Sequence, residues 1–586
     1  MREQLIINGE EVDLGNVSIS LEYVNNMLTS VDKITSSHSY TISLPRTARN
    51  ERILDAPTML DHQSSRVGVY LAAEYWRNGM QIVHNAKAYI TSAKGSTIDI
   101  CLLWDNFAPF MEWVAAGKTI ADLGYSNPSW DKVGTLWTSK SSEVVLAYVD
   151  SGVDTDTVVC LNFYEMVRKI MGGIGVGWFI SSDSPAKTLA QKLVIPCLKF
   201  SGSWDATAGQ YAMRIDASGN IHFTHRYGNN DTATTDTRLN VGNSVKMSFD
   251  AENLMLPGRY TTTMPSITIK GIKSDTTSVN LGTYYMSTVG YTSPAKLSVH
   301  AVLDVSDYSY ITISVNGGKN ESIINADSSE SISVRKYYDT PTHGTEFNIA
   351  SGAPALKQVD VIKAFCTLFG LAVVTTPNGF IKFVPLSNLS KRDALYVYDW
   401  TDKVVDYGDA MPNKVEYKVG SYARRNLYEY TEDTKDPVYG ADGEIYSSSL
   451  TNGTEYNAVK LPFAPSDGSI IRYKEVDDSG AAKYIDVKPR IMSMVQYYAS
   501  SAYRIKLNFD NSLRFDSILP KYYGAISDVV QYPCTITIYM RLSEVDLASL
   551  DMDKVVYLGQ TGRYYIIGSV KTDNSTDICE CELIKL

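Results

Sequence analysis

The sequence predicts a mainly β, multidomain protein with a few short helices. The chain has 586 residues, too many for one hydrophobic core, so about three to five domains are expected. It contains 40 tyrosines, and aromatic side chains pack well on the pleated surface of a sheet. Two segments carry a clear helical pattern, and each is followed by glycine and then by a strand pattern.

The clearer of these two units occupies residues 358–386. The spacing i, i+3, i+4, i+7 places four apolar residues on one face of a short helix: Ile362, Phe365, Cys366 and Phe369. Gly370 predicts the end of this helix, because the residue after a helix often has a left-handed conformation that glycine adopts without strain. A Pro-Asn-Gly turn at 377–379 between two β-rich runs then predicts a hairpin.

The second unit lies about 200 residues earlier in the sequence. The same spacing recurs at Phe163, Met166, Val167 and Ile170. Gly172 and Gly173 follow, and then a predicted strand at 174–180. Two interpretations stay open: a core of two related modules with a large insertion between them, or a chance pair of short helices.

The first hundred or so residues contain several short strand patterns separated by turns, which predicts a small barrel or sandwich. One of these patterns covers residues 67–76. Arg46, Arg49 and Arg52 follow Pro45 closely. This arginine cluster is either a docking surface for an acidic partner or the solvated start of a helix.

Residues 104–131 are predicted to form a helical, aromatic-rich arm. The Gly117-Lys118-Thr119 triplet within it does not predict a phosphate-binding loop, because Glu112 stands where that motif requires glycine.

Residues 200–345 are rich in Ser, Thr, Asn, Gly and Asp, and short strands recur there at the spacing of an all-β sandwich. The predicted strands are 211–216, 221–225, 245–249, 266–272, 296–303, 310–315 and 331–337. Four aromatic residues in this block are candidate glycan contacts, since their rings can stack on sugars: Trp204, Tyr260, Tyr284 and Tyr291. The alternative is that they pack in the core or across strands.

The C-terminal part is predicted to contain strands and turns. Residues 436–484 carry several turn signals and predict long hairpins or loops. Strands are predicted at 507–516 and 534–541, and residues 555–586 predict a three-stranded antiparallel meander.

The sequence predicts no catalytic residue, metal site or cofactor site. The acidic pairs Asp551/Asp553 and Glu580/Glu582 are interpreted as surface or edge pairs, although a glycosidase pair far apart in sequence stays open. A net charge of −11 argues against nonspecific nucleic-acid binding. Seven scattered cysteines and the lack of a signal peptide predict a protein made in a reducing cytoplasm. No window approaches the ~20 apolar residues of a membrane span, so none is predicted.

Three segments resemble structural proteins of tailed phages. The INGEEVDL and SYTISLPRTARNERIL runs within residues 5–54 are similar to the start of tail proteins from phages and prophages. The helix–Gly–hairpin at 359–384 resembles an element of baseplate hub proteins, and the closing run KVVYLGQTGRYYIIGSVKTDNSTDICECELIKL resembles their last strands. Together these segments cover about a third of the chain.

The resemblance implies a tail-tip hub in the virion, a trimer whose two β-barrel domains per subunit form a pseudo-sixfold ring below the tail tube. It implies contacts with tube or distal tail ring proteins, the tape measure protein, and fibres or tip proteins, and no enzymatic activity. The predicted division has barrel modules at 1–103 and 401–586, a helical arm with the first helix unit at 104–200, a sandwich at 201–345, and the second helix unit at 346–400.

Other functions stay open beside the hub. They are a hexameric distal tail ring protein, a glycan-binding tail-tip adhesin that uses the inserted sandwich, and a polysaccharide-degrading enzyme.

Overall fold

The computed structural model describes residues 3–59, 61–105, 107–128, 143–153, 155–198, 204–215, 221–227, 230–236, 238–256, 266–285, 295–316, 332–338, 345–376, 379–405, 413–450, 453–476, 482–499 and 502–586. The fold is mainly β, with several sheets and a few short helices, as the sequence predicts. Its α-helices are α1 (Ala48–Ile53), α2 (Phe107–Ala116), α3 (Phe163–Ile174), α4 (Ala186–Ala190), α5 (Ile349–Gly352), α6 (Gln358–Phe369), α7 (Phe515–Tyr522), α8 (Gly524–Gln531) and α9 (Glu544–Ala548).

Among the described residues, the largest sheet has 14 strands, which come from both ends of the chain. They are β1 (Glu3–Ile7), β2 (Glu10–Glu11), β3 (Ser20–Val24), β4 (His38–Ser39), β5 (Ile42–Pro45), β6 (Leu71–Arg77), β7 (Met80–Ala93), β8 (Thr97–Leu103), β26 (Val397–Asp399), β27 (Lys414–Glu416), β35 (Thr535–Arg541), β36 (Val555–Leu558), β37 (Arg563–Asp573) and β38 (Ile578–Lys585). The antiparallel meander predicted for 555–586 is confirmed as β36–β37–β38.

The two chain ends meet where β3 pairs antiparallel with β37, with Tyr23 opposite Val570. Leu21, Ile567 and Cys581 belong to one buried apolar cluster. The strands described within 3–103 therefore share one sheet with β27, β35, β36, β37 and β38, whereas the other strands of 401–586 lie in different sheets. Each segment alone would leave a strand edge whose backbone N–H and C=O groups lack partners. The pairing of β3 with β37 supplies these groups with hydrogen-bond partners. The predicted domain boundaries themselves stay a prediction.

A closed five-stranded barrel forms a second β body, which the sequence did not predict. Its strands are β9 (Val144–Asp150), β10 (Thr155–Asn162), β12 (Leu193–Pro196), β33 (Met492–Ala499) and β34 (Ala502–Asn508). The strand predicted at 507–516 is wrong, since β34 ends at Asn508 and α7 begins at Phe515. The buried residues Phe515, Ile518 and Leu519 have the helical spacing that this prediction missed.

The two predicted helix units are confirmed as α3 and α6, and they pack against each other. The rings of Phe163 and Phe365 lie with centroids 6.3 Å apart. Both units also contribute to one small sheet of β11 (Trp178–Ile180), β25 (Ile381–Pro385) and β24 (Leu371–Thr375), in which β11 runs parallel to β25. The strand predicted at 174–180 is too long, because α3 continues to Ile174.

Both helices end at a left-handed glycine. Gly370 caps α6 with φ 55° and ψ 52°, and Gly175 caps α3 with φ 77° and ψ 13°. Gly172 and Gly173 lie within the last turn of α3, and Gly175 ends it. The glycines at 172–177 could suggest a dinucleotide-binding loop, but they end a helix instead of opening one, so their amides do not converge on a phosphate.

The inserted block is a two-sheet sandwich, as predicted. One sheet contains β13 (Trp204–Ile215), β14 (Ile221–Tyr227), β15 (Asn230–Asp236), β17 (Lys246–Leu256), β20 (Ala295–Asp304), β22 (Ile332–Tyr338) and β23 (Glu346–Phe347). The other contains β16 (Leu239–Asn240), β18 (Ser266–Ile272), β19 (Ser278–Tyr285) and β21 (Tyr310–Asn316). Phe249, Ile269 and Val334 belong to the buried cluster of this sandwich.

The predicted arm contains α2, which is tied to α6. The indole Nε1 of Trp113 donates to Gln358 Oε1 at 2.8 Å, and Gln358 Nε2 donates to the Thr119 carbonyl at 2.9 Å. The Gly117–Thr119 turn therefore anchors a helix, in agreement with the sequence argument against a phosphate loop.

Smaller sheets complete the described part of the chain around residues 425–484. One contains β28 (Arg425–Tyr430), β29 (Gly443–Tyr446) and β30 (Glu455–Leu461), and the other contains β31 (Lys474–Val476) and β32 (Ala482–Tyr484). The pairs β28–β29 and β31–β32 are antiparallel, as expected for hairpins, whereas β28 and β30 are parallel.

Candidate functional site

The predicted arginine cluster lies on and beside α1. Thr47 caps this helix by accepting a hydrogen bond from Asn50 N at 3.1 Å. The side chain of Asn50 is buried and bonds to the backbone of Asp13 and Pro45, which fixes α1 against the preceding segments. The helix start that was one of the two interpretations of this cluster is thus present.

Each guanidinium of the cluster already has a carboxylate partner within the chain. Arg46 Nε donates to Glu51 Oε1 at 2.6 Å, Arg49 lies 3.6 Å from Asp13, and Arg52 bonds to Glu10. The three side chains stay between 37% and 64% exposed. Arg52 also lowers the pKa of Glu10 by its hydrogen bond. An acidic partner would have to displace these carboxylates, and solvent screens exposed pairs of this kind, so they contribute little to stability.

Four exposed apolar side chains follow α1, and their exposure was not predicted. The pattern at residues 67–76 predicts one strand, but β6 begins only at Leu71. The loop before it exposes about half of each of four large apolar side chains: Met59, Val67, Val69 and Tyr70. Large apolar side chains that cluster in solvent often mark an interaction surface. The sequence indicates this exposure at 67–70 (VGVY), because the apolar residues there do not alternate with polar ones as in a half-buried strand.

The four candidate glycan contacts are not brought together in the described structure. Tyr284 on β19 is partly buried and packs against the sandwich core. Trp204 lies on β13, with its backbone opposite Tyr338 and Phe347. Tyr260 and Tyr291 lie outside the described residues. The glycan contact therefore stays a prediction, and for Tyr284 the packing role is the one observed.

Within the described ranges, no group of three or more His, Cys, Asp and Glu side chains is arranged to hold a metal ion. No helix in that same part of the chain is long and apolar enough to span a bilayer.

A cavity of about 50 Å³ lies between the large sheet, α9 and the hairpin β24–β25. Its lining includes His84, Trp104, Asp105 and Thr376. Trp104 Nε1 is buried without a hydrogen-bond partner among the described residues, and burial raises the pKa of Asp105 to about 6. Small-molecule sites usually enclose roughly 300–1,000 Å³, so this cavity suits water-sized ligands.

The pair Asp551/Asp553 is not a surface pair, which corrects the sequence interpretation. Asp553 is buried, and Lys382 Nζ on β25 donates to its Oδ2 at 2.6 Å. Asp551 lies in side-chain hydrogen-bonding contact with Asp553, and its backbone N–H donates to Tyr398 at 3.0 Å. Sequence reasoning missed this cluster because Lys382 is 171 residues away from Asp553.

Comparisons with known proteins add little to this geometry. No family model matches the sequence, and no curated protein matches it. Among solved structures, the chain is similar to the crystal structure of the 43 kDa tail protein of prophage MuSo2 from Shewanella oneidensis, with 6% identity and a TM-score of 0.35. That alignment covers 100% of this chain and 98% of the other. Similarity at this level establishes neither the fold nor the function of the chain.

Proposed function

We propose that the chain is a structural protein of a phage tail, located at the tail tip or baseplate of the virion. Within the tail it acts as a hub that adapts the sixfold tube to the tip and lines or closes the channel. Its role is assembly, without catalysis or a cofactor.

One observation supports this proposal most: the three segments that resemble hub proteins lie against one another. The N-terminal segment pairs with the closing strands through β3 and β37. It also approaches the helix unit, where Lys363 on α6 lies 3.9 Å from Asp32. The helix unit in turn packs against the closing segment, since Ile381 and Val555 belong to one buried cluster, and Lys382 bonds to Asp553, the residue just before that segment. Three segments that resembled hub proteins only by chance would not be expected to lie together in the fold.

The surface around α1 is the part of the chain that we assign to partner docking. Arg46, Arg49 and Arg52 supply guanidinium groups that a partner carboxylate can bind when it displaces their present partners. The exposed side chains of Met59, Val67, Val69 and Tyr70 supply apolar area to bury. The partners are further copies of this chain, the tube or distal tail ring, the tape measure protein, and fibre or tip proteins. A cell-surface glycan is a further ligand if the sandwich carries an attachment role.

The mass of the full chain in solution tests the hub, measured by light scattering over a range of concentrations. We expect a threefold mass near neutral pH. A sixfold mass would favour the distal tail ring instead. A chain that stays monomeric at high concentration and in the presence of tube protein would contradict the proposal, and glycan binding by that monomer would favour the adhesin.

A further inference from the structure

A lysine and two aspartates meet at the junction between the helix unit and the closing strands. Lys382 lies on β25, and Asp551 and Asp553 lie in the turn between α9 and β36. Lys382 Nζ is 2.6 Å from Asp553 Oδ2, and the two side chains are 19% and 7% exposed. The amine nitrogen is thus held in contact with one carboxyl group, and a second carboxyl group touches the first.

The protonation states are divided within this cluster. Burial and the contact with Asp553 raise the pKa of Asp551 to about 7, so this carboxyl can gain and lose a proton near neutral pH. Burial alone would raise the pKa of Asp553, but its contacts with Asp551 and Lys382 lower it. Burial favours the neutral amine of Lys382, yet the carboxylate of Asp553 outweighs burial and raises the pKa of Lys382. The resting cluster is therefore acid, carboxylate and ammonium in a row.

We propose that Lys382 and Asp553 condense into an intramolecular isopeptide bond, and that Asp551 transfers the protons of this reaction. The reaction needs an amine nucleophile, a carboxyl carbon and a neighbouring acid, and the cluster supplies one of each. The bond is independent of the tail function proposed above.

The protons and atoms of the reaction balance within the cluster. Asp551 gives its proton to the Asp553 carboxylate and takes one from the Lys382 ammonium, which leaves a neutral amine and a neutral acid. Nζ then attacks Cγ of Asp553, and the C–N bond forms as one C–O bond breaks. The hydroxyl group leaves as water with a proton from Asp551, and Asp551 regains a proton from the nitrogen. The products are one amide, one water and the original acid.

The condensation is feasible in water because the fold holds the amine of Lys382 and the carboxyl group of Asp553 in contact. Reactive groups held at contact distance react as if they were at very high concentration, and burial keeps competing water away from the carbon. The surrounding charged and titratable groups are Asp183 beyond β11, Tyr398 on β26, Asp546 on α9, and Lys554. Of these, Asp183 already bonds to Lys391, and Asp546 to Lys403.

The consequence is a covalent link between β25 and the turn that precedes the closing strands. The link closes a loop between positions 171 residues apart, which restricts the unfolded chain. A protein with this link would keep β25 attached to the closing strands even when local contacts open.

Mass spectrometry of the full chain, purified and then denatured, tests the proposal. We expect an intact mass lower by one water than the sequence requires, and a proteolytic digest should contain one branched peptide that joins Lys382 to Asp553. A folded chain at its full sequence mass, with the two peptides separate, would overturn the proposal.

Four variants separate the chemistry from the fold. Lys382→Arg keeps the charge without a nucleophilic amine, and Asp553→Ala removes the carbon that is attacked, so both should have their full sequence mass. Asp551→Asn keeps the shape but removes the acid, and it should leave the link largely unformed; complete linkage in this variant would disprove the role of Asp551. Lys403→Arg is the matched control, because Lys403 bonds to Asp546 at 2.7 Å with both side chains more exposed, at 30% and 23%. It should lose one water as the wild type does, and circular dichroism verifies that each variant is folded.

Discussion

The backbone around Asp105 holds its carboxyl group in a buried position, which disfavours the charged form. Its φ of 76° is left-handed, a conformation that asparagine and aspartate adopt more readily than most residues. Its Oδ2 accepts a hydrogen bond from Ser37 N at 3.1 Å, and it lines the cavity beside Trp104. The fold thus uses Asp105 as a turn residue and as a hydrogen-bond acceptor, and neither use needs the charge.

The replacement Asp105→Asn should stabilise the protein at pH 8. The folded pKa of Asp105 is about 6, above the unfolded value of about 3.9. The folded state therefore holds more protons between these values, and the contribution of this group to the unfolding free energy falls as pH rises from about 4 to 6. Asparagine keeps the acceptor without the charge, so we expect a gain of the order of 3 kcal/mol at pH 8.

Urea unfolding of wild type and Asp105→Asn at pH 4 and pH 8 measures this gain. The difference should be large at pH 8 and nearly absent at pH 4. Equal differences at the two pH values would show that the charge of Asp105 is not what the substitution relieves.

At the scale of elements, the helix units α3 and α6 end alike but sit in different surroundings. Both are capped by a left-handed glycine. A Cβ on Gly370 would lie 2.4 Å from Tyr522 Cβ, at the end of α7, whereas a Cβ on Gly175 would meet nothing within 4 Å. Gly370 therefore differs from Gly175 because α7 lies close to it.

Gly370→Ala should therefore destabilise the protein more than Gly175→Ala. Alanine at Gly175 costs only the left-handed conformation, about 1 kcal/mol. At Gly370 the clash with Tyr522 adds to this cost, so we expect more than about 2 kcal/mol in total. Thermal unfolding of both variants compares them, and equal losses would mean that α7 shifts to accommodate the new side chain.

At the scale of the whole molecule, the shared sheet couples the two ends of the chain. Leu21 on β3 is fully buried, and it lies in the same cluster as residues of β6, β37 and β38. The sandwich has a core of its own, in which Ile269 is equally buried. Damage to one core should therefore stay within that core.

Leu21→Ala removes buried apolar volume and should cost about 2–5 kcal/mol. We expect faster amide exchange in β6, β7, β37 and β38 together, although hundreds of residues separate them in sequence. The sandwich amides should not change. Ile269→Ala is the control and should speed exchange only in the sandwich; faster exchange confined to residues 3–103 in Leu21→Ala would restore the two-module interpretation.

The sequence by itself determined those elements whose pattern is local. The spacing of Ile362, Phe365 and Phe369 and the glycine after them defined α6, and period-two runs such as β18 defined the strands of the sandwich and the closing meander. These signals arise from neighbours within a few turns of chain, so no distant contact is needed to identify them.

Only the tertiary structure decided which elements meet. The pairing of β3 with β37, the closed barrel of distant strands and the contact of Lys382 with Asp553 join residues far apart in sequence. Strand patterns define the faces of a strand but not its neighbour, because any free edge offers the same backbone groups. The environment of Asp551 and Asp553 depends on the hairpin β24–β25, which lies far away in the sequence. A local pattern does not include this hairpin, so the sequence predicted a surface or edge pair.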